Sequence, residues 1–342
     1  MKFDDLLPIV MVGPCVRGFQ VSVSRGDELW SGAYGATTAS APMDVATLHH
    51  VWCATKPILA MAAGIADVEG SADLCEPLSE YASRFPGLRG HQATLWDALC
   101  HDAGLISPRA FELWSAPTSR RRTIMNGVGA DETQMAAYSE IAAWTLISLS
   151  LDRSSSQTAD RVNAVLDSMG TGEHIVMDGV EFHASLRDRV GVHYGEVGSG
   201  RRPLPLLAEL LPHVLGLASP VLGGLASAEG ICRMYRAMLV VPFLRTARDR
   251  LLRYQRGDEY DQVLRRRCNF SAGFMIDLVT HGYGDRIGES SFGYTGWMGS
   301  SWGFADPARD LAVGFTHNGF LSPELNDPMR SDVVSWVYDN FA

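Results

Sequence analysis

Strand-like patterning at both ends of the chain, with helical patterning between, limits the folds open to it more than any other feature. Phe19, Val21 and Val23 alternate with Gln20, Ser22 and Ser24, and Gly26-Asp27 then turns the chain into Glu28-Leu29-Trp30, a β-hairpin signature. Strand patterns return after Cys268, at 271–278, 300–304 and 311–316, the last two joined by the turn residues 306–310. Between them, apolar spacing predicts helices at 95–100, 141–151, 159–168 and 228–239. A lone hairpin is marginal in water, so strands from the two ends are expected to share one sheet. The chain therefore divides into a sheet domain built from residues 1–65 and 266–342 and a mostly helical insertion, 66–265. A last helix is predicted at 328–341, capped by Asp327, with Val333, Val334, Val337 and Phe341 on one face.

Composition removes several function classes. A chain of 342 residues with 46% hydrophobic and 20% charged residues is ordinary for a globular protein and excludes disorder as its main state. A formal net charge of -10 argues against nucleic acid as a partner. The basic runs Arg120-Arg121-Arg122 and Arg265-Arg266-Arg267 read first as solvated faces and second as a docking patch for an anionic cofactor or carrier. The acidic start Met1-Lys2-Phe3-Asp4-Asp5 does not suit a secretory signal. The strongest apolar run, 204–217, is broken by Pro205 and Pro212, so no membrane span is expected. A cytoplasmic protein follows as the expectation, with Cys15, Cys53, Cys75, Cys100, Cys232 and Cys268 free. His49-His50 and the other histidines show no metal-ligand spacing, and neither metal nor cofactor is called for.

The chemistry centres on Val51-Trp52-Cys53-Ala54-Thr55-Lys56-Pro57, which opens a helical pattern with Ile58, Met61, Ala62 and Ile65 on one side and Gly70 as a stop. Residues three apart share a helix face, so the Cys53 sulfur and the Lys56 amine can meet. A nucleophile beside an amine at a helix start suits covalent catalysis. The pair alone is a weak signal, because most cytosolic cysteines are small core residues. Tyr138, in Tyr138-Ser139-Glu140, is a candidate acid, and the glycine-flanked Gly293-Tyr294-Thr295-Gly296-Trp297 is a candidate oxyanion strand.

These words together resemble the serine β-lactamase and penicillin-binding-protein superfamily, in particular its class C and esterase branch. Cys53-Ala54-Thr55-Lys56-Pro57 is similar to the family's Ser-Val-Thr-Lys-Pro, Tyr138-Ser139-Glu140 to Tyr-Ser-Asn, and Tyr294-Thr295-Gly296 to Lys-Thr-Gly or His-x-Gly. The segment Thr94-Leu95-Trp96-Asp97-Ala98-Leu99-Cys100-His101-Asp102-Ala103-Gly104-Leu105 resembles Thr-Leu-Arg-Asp-Leu-Leu-Thr-His-Thr-Ser-Gly-Leu, and order and spacing hold over about residues 18–319. The resemblance implies an α+β, β-lactamase/transpeptidase-like fold: an antiparallel sheet flanked by terminal helices, a large helical domain, and the active site in the groove between. It implies Cys53 as nucleophile, Lys56 as its proton acceptor and Tyr138 as acid/base. The backbone N–H groups of Cys53 and Trp297 would form the oxyanion hole, and Glu140, Tyr294, Thr295 and Gly296 would meet the substrate.

Three departures bear on activity. Cysteine stands where the family has serine, Glu140 where it has asparagine, and Tyr294 where it has a basic residue, so recognition of a β-lactam carboxylate is not expected. A helix N-terminus and a neighbouring ammonium predict a Cys53 thiolate beside a charged Lys56. An acyl-cysteine is a thioester, which amines attack readily relative to water. The expected activity is therefore acyl transfer, from a donor on coenzyme A or a carrier protein to a small-molecule amine or alcohol, and the resemblance to a family that contains acyltransferases of natural-product biosynthesis implies a place in small-molecule biosynthesis. A cysteine-dependent hydrolase of esters, thioesters or peptides is the alternative, and a non-catalytic family member the third reading.

Overall fold

The N-terminal hairpin forms as predicted and docks against the last strand of the chain. In the computed structural model, which describes residues 3–13, 15–37, 41–106, 127–153, 158–177, 189–196, 203–205 and 220–342, strand Gly18–Arg25 pairs antiparallel with Glu28–Gly35 on one side and Leu311–His317 on the other. The sheet has eight antiparallel strands, in the order Glu259–Asp261, Arg266–Ser271, Phe274–Ile276, Phe292–Thr295, Ser301–Asp306, Leu311–His317, Gly18–Arg25, Glu28–Gly35. Six strands thus come from the end of the chain and two from its beginning, the first of the six lying ahead of residue 266. The basic run 120–122 and most of the apolar run 204–217 lie outside the described residues.

One face of this sheet carries helix Ala228–Val240, which runs across strands Gly18–Arg25, Ser301–Asp306 and Leu311–His317. A cross-strand glycine pair, Gly303 opposite Gly314, makes that contact possible. A Cβ on Gly314 would lie 2.1 Å from the Ala228 carbonyl oxygen, and one on Gly303 would lie 2.3 Å from Ile231. The other face carries the C-terminal helix Pro323–Phe341, with Trp336 against Trp30 and Tyr338 stacked on Phe304. Helix Lys56–Val68 lies deeper, packed by Ala142–Arg153, Thr158–Met169 and Pro242–Arg253. Its residues are buried continuously from Lys56 to Gly64, so it is a core helix rather than the one-sided helix its pattern suggested. Among the described residues, no helix is long and apolar enough to cross a membrane.

Several boundaries differ from the sequence reading, each for a local reason. The strand expected at 271–278 is a hairpin: Arg266–Ser271 and Phe274–Ile276 pair across Ala272-Gly273, where Gly273 takes φ +80°. The C-terminal helix starts at Pro323, behind Ser322, because the earlier of two prolines occupies its first turn. Asp327 is therefore inside the helix, bonded to Arg330 and, at 3.0 Å, to Arg266, and does not cap it. The middle of the chain also holds strand content. Gly224–Ala226 pairs with His49–Trp52 on one side and Ile175–Val176 on the other, a small sheet that ends where Cys53 begins.

Candidate active site

Cys53 is delivered by a sharp change of direction. Strand His49–Trp52 ends at Trp52, whose φ of 52° and ψ of -128° turn the chain into a single 3-10 turn, Cys53–Thr55. The α-helix itself begins at Lys56. In a 3-10 turn residues three apart eclipse one another, so this turn sets Cys53 and Lys56 on one side. The Thr55 hydroxyl pins the corner, donating to the Trp52 carbonyl at 3.2 Å and accepting from the Gly224 N–H at 2.9 Å.

Lys56 is 1% exposed and donates to the Glu140 carbonyl oxygen, with a second contact of 3.5 Å to the Val221 carbonyl. Its ammonium carbon chain ends over the Trp144 ring, 4.9 Å from the centroid. Tyr138-Ser139-Glu140 is held from three directions. The Tyr138 N–H donates to Asp261 at 3.2 Å, the Ser139 N–H to His101 Nδ1 at 3.0 Å, and the Ser139 hydroxyl accepts from the Ala143 N–H at 2.9 Å. Asp261 is itself fully buried with Arg256 at 3.0 Å and accepts the Val263 and Leu264 N–H groups, so its charge is paired and hydrogen-bonded. The Tyr138 hydroxyl, the Cys53 thiol and the Tyr294 hydroxyl are near enough to one another to perturb each other's titration, and burial pushes all three upward.

The opposite wall is strand Phe292–Thr295 and the turn after it. Gly296 fits here because of close approach: its N–H donates to the Ser301 carbonyl at 2.7 Å, and a Cβ would lie 2.1 Å from the Ser301 hydroxyl and 2.5 Å from the Val51 carbonyl oxygen. The Ser301 hydroxyl in turn donates to Val51 at 2.8 Å, tying this wall to the strand that carries Cys53. Trp297 emerges beyond it, edge-on to Trp52 at 5.2 Å.

A cavity of about 300 Å³ opens over the nucleophile, lined by Cys53, Tyr138, Glu140, Thr295, Gly296 and Trp297 together with apolar Leu264, Met275, Met298 and Leu321. Lys56 and Tyr294 do not line it. Strand alternation explains Tyr294: Thr295 faces the cavity, so its neighbour points the other way into the core, where it is 0% exposed. The expectation that Tyr294 meets substrate is corrected accordingly. Its hydroxyl instead lies 3.0 Å from His101 Nε2. His101, Asp261 and Arg330, which lines the cavity and bonds Thr295 at 3.3 Å, are not singled out by the sequence, although His101 stands in the matched Thr94 to Leu105 segment.

Burial also reverses the expected charge state. Desolvation pushes the Cys53 thiol above its ordinary range, with Glu140 adding to the rise and Lys56 and Tyr138 opposing it. Desolvation likewise lowers Lys56, offset in part by Cys53 and Glu140. The resting thiolate predicted from the helix terminus is therefore corrected to a thiol, beside an amine whose hold on its proton is weakened. The exposed cysteine among the described residues is Cys75. Among those residues, no group of three or more His, Cys, Asp or Glu side chains could hold a metal ion.

This antiparallel sheet with helices on both faces, and a pocket at the end of its Cys53 turn, is an architecture of the β-lactamase and transpeptidase class. The chain belongs to the Beta-lactamase family, whose profile matches residues 12–333. It is similar to a family VIII carboxylesterase (19% identity, 98% of this chain and 96% of that one, TM-score 0.73). A class C beta-lactamase in complex with cefoxitin is also similar (15%, 97% and 97%, TM-score 0.71). So is EstCE1, a hydrolase with promiscuous acyltransferase activity (15%, 97% and 97%, TM-score 0.72). No curated protein matches the chain in sequence at a significant level.

Proposed function

We propose that this protein is an acyltransferase that works through a Cys53 acyl-thioester, in small-molecule biosynthesis in the cytoplasm. The reading is supported by a buried sulfur, at the position where the resemblance to the family puts a serine, coupled electrostatically to Lys56 and influenced by Tyr138 at a largely apolar pocket. Lys56 takes the thiol proton as the donor carbonyl arrives; its weakened proton affinity suits it to act as a base. The thiolate attacks, the oxyanion sits between the Cys53 and Trp297 N–H groups, and each such donor contributes about 2.7–4 kcal/mol in comparable sites. Tyr138 gives its proton to the leaving group, and the acyl group stays on sulfur.

In the second half, an amine or alcohol of a small molecule attacks the thioester and its proton returns to the base. Apolar Leu264, Met275, Met298 and Leu321 favour an organic acceptor over water. The donor is a thioester on coenzyme A or a carrier protein, or an activated ester. Hydrolysis of esters or amides is the second reading, favoured by the likeness to a carboxylesterase. Product partitioning separates the two. With a thioester donor and millimolar amine, mass spectrometry should find most of the acyl group on the amine. Free acid as the dominant product across a panel of amines and alcohols would favour the hydrolase.

A further inference from the structure

The cavity over Cys53 is polarised by charges that its two walls hold apart. Among the described residues, Glu140, Arg266, Asp327 and Arg330 are the acidic and basic side chains that line it. Three of them form one cluster on the sheet side. Asp327 and Arg330 sit on the C-terminal helix and Arg266 on strand Arg266–Ser271, and the single Asp327 carboxylate holds both arginines, Arg266 at 3.0 Å. Arg330 is 3% exposed and is tied further to the Gly282 carbonyl at 3.1 Å and to Thr295 at 3.3 Å. Two guanidinium groups on one carboxylate leave that wall with a net positive charge. His281, which also lines the cavity, adds none: burial lowers it to about 3, and its Nε2 donates to the Asn269 carbonyl at 2.8 Å.

Glu140 belongs to the other wall and lies with the nucleophile. It stands where the family's words have asparagine, so this wall carries a carboxylate in place of a neutral amide. Its backbone is fixed by the Lys56 amine on its own carbonyl oxygen and by Ser139 before it, whose N–H and hydroxyl are both engaged. The residue is half-buried and lines the same cavity as Cys53. Its two carboxylate oxygens offer about four acceptor sites, so an incoming N–H donor adds to the bonds already made there. An ammonium entering the cavity is repelled by the arginine wall and drawn to Glu140. We propose that Glu140 is the acceptor subsite of this enzyme, and that it selects a primary amine entering as its ammonium ion over a neutral nucleophile. The inference rests on the acyl-cysteine reading.

The transfer step balances without another reagent. The ammonium gives one proton to the Glu140 carboxylate, and the amine so formed attacks the thioester carbonyl. The C–N bond forms and the C–S bond breaks. The surplus proton on nitrogen goes to the departing sulfur and restores the Cys53 thiol, and Glu140 releases its proton to water. A neutral nucleophile brings no charge for Glu140 to hold.

The test sets 2-phenylethylamine, an ammonium at neutral pH, against O-benzylhydroxylamine, a nitrogen nucleophile of the same shape that is neutral there. Both compete for the acyl group of one short-chain thioester on the full-length protein, and the two products are counted by mass spectrometry in one tube, so a loss of folded protein cancels. Glu140→Gln keeps the side-chain shape and removes the charge. It should lower the product ratio of the first amine to the second by about 10- to 100-fold, the range of a hydrogen bond to a charged group. The KM for 2-phenylethylamine should rise by a similar factor. Glu140→Asp keeps the charge and should keep most of the preference. An unchanged ratio in Glu140→Gln, or an equal fall in Glu140→Asp, with Cys53 still acylated, would overturn the subsite and leave the acyl-cysteine reading standing. No acyl adduct on Cys53 from the thioester in the unmodified protein would overturn both.

Discussion

Cys53→Ala should abolish product formation, because Cys53 carries the only thiol among the described residues that line the pocket. Lys56→Ala and Tyr138→Phe should each lose at least the roughly 10²–10⁴-fold typical of a positioned base or acid. Cys53→Ser is the more informative change. Burial lowers the proton affinity of Lys56, so a serine there can still be activated and acylated. Its acyl group then sits on oxygen, which amines attack far less readily than a thioester. Transfer to amine should fall by about 10²-fold or more, with the acyl-serine accumulating or draining to acid. Rates of amide formation for the four variants, measured by mass spectrometry with one thioester donor, check this. Wild-type transfer in either Cys53 variant would contradict the mechanism.

The folded state should be lost steeply on mild acidification. Burial lowers His49, His50 and His281 from 6.5 to about 3 and His317 to about 4, and holds His101 and His193 well below 6.5. These groups are buried neutral, so above pH 6.5 neither state binds extra protons and their contribution to stability is complete. Below 6.5 the unfolded chain takes up protons that the fold excludes, and stability falls with pH down toward the folded values. Each imidazole costs about 1.4 kcal/mol per pH unit in that window. Six together cost on the order of 8 kcal/mol per unit, against a total stability of about 5–15 kcal/mol. Asp102, raised to about 6, and Asp277, also raised by burial, act in the opposite sense but are two groups against six. Urea midpoints should therefore drop sharply between pH 7.5 and 5.5, with unfolding in plain buffer near pH 5. A midpoint that holds constant over that range would show that these histidines are solvated or already charged.

What could be read from sequence divides by the range of the interaction. The hairpin at Gly26-Asp27 and strands Ser301–Asp306 and Leu311–His317 follow from alternation and turn residues, which are local. Cys53, Tyr138 and Thr295 are far apart in the chain, and only the matched family words bring them to one pocket. Tyr294 was named but misdirected, because a four-residue strand does not reveal which of its faces meets the cavity. The bond of His101 to Tyr294 spans 193 positions, and the grip on Tyr138 depends on Asp261, 123 positions away. Such contacts leave no periodic trace. The charge state of Cys53 failed for a related reason: a helix terminus and a lysine are visible in sequence, whereas the burial that outweighs them is a property of the fold.

Whether the sulfur of Cys53 carries the acyl group is read directly by intact-protein mass spectrometry. The protein is mixed with a short-chain acyl thioester, quenched in acid within seconds and weighed, then digested to map the site. The expected result is a mass increase of one acyl group on the peptide holding Cys53, discharged within the turnover time when an amine acceptor is added. An unmodified Cys53 under conditions that form product, or an adduct that forms elsewhere and turns over without it, would contradict the central claim.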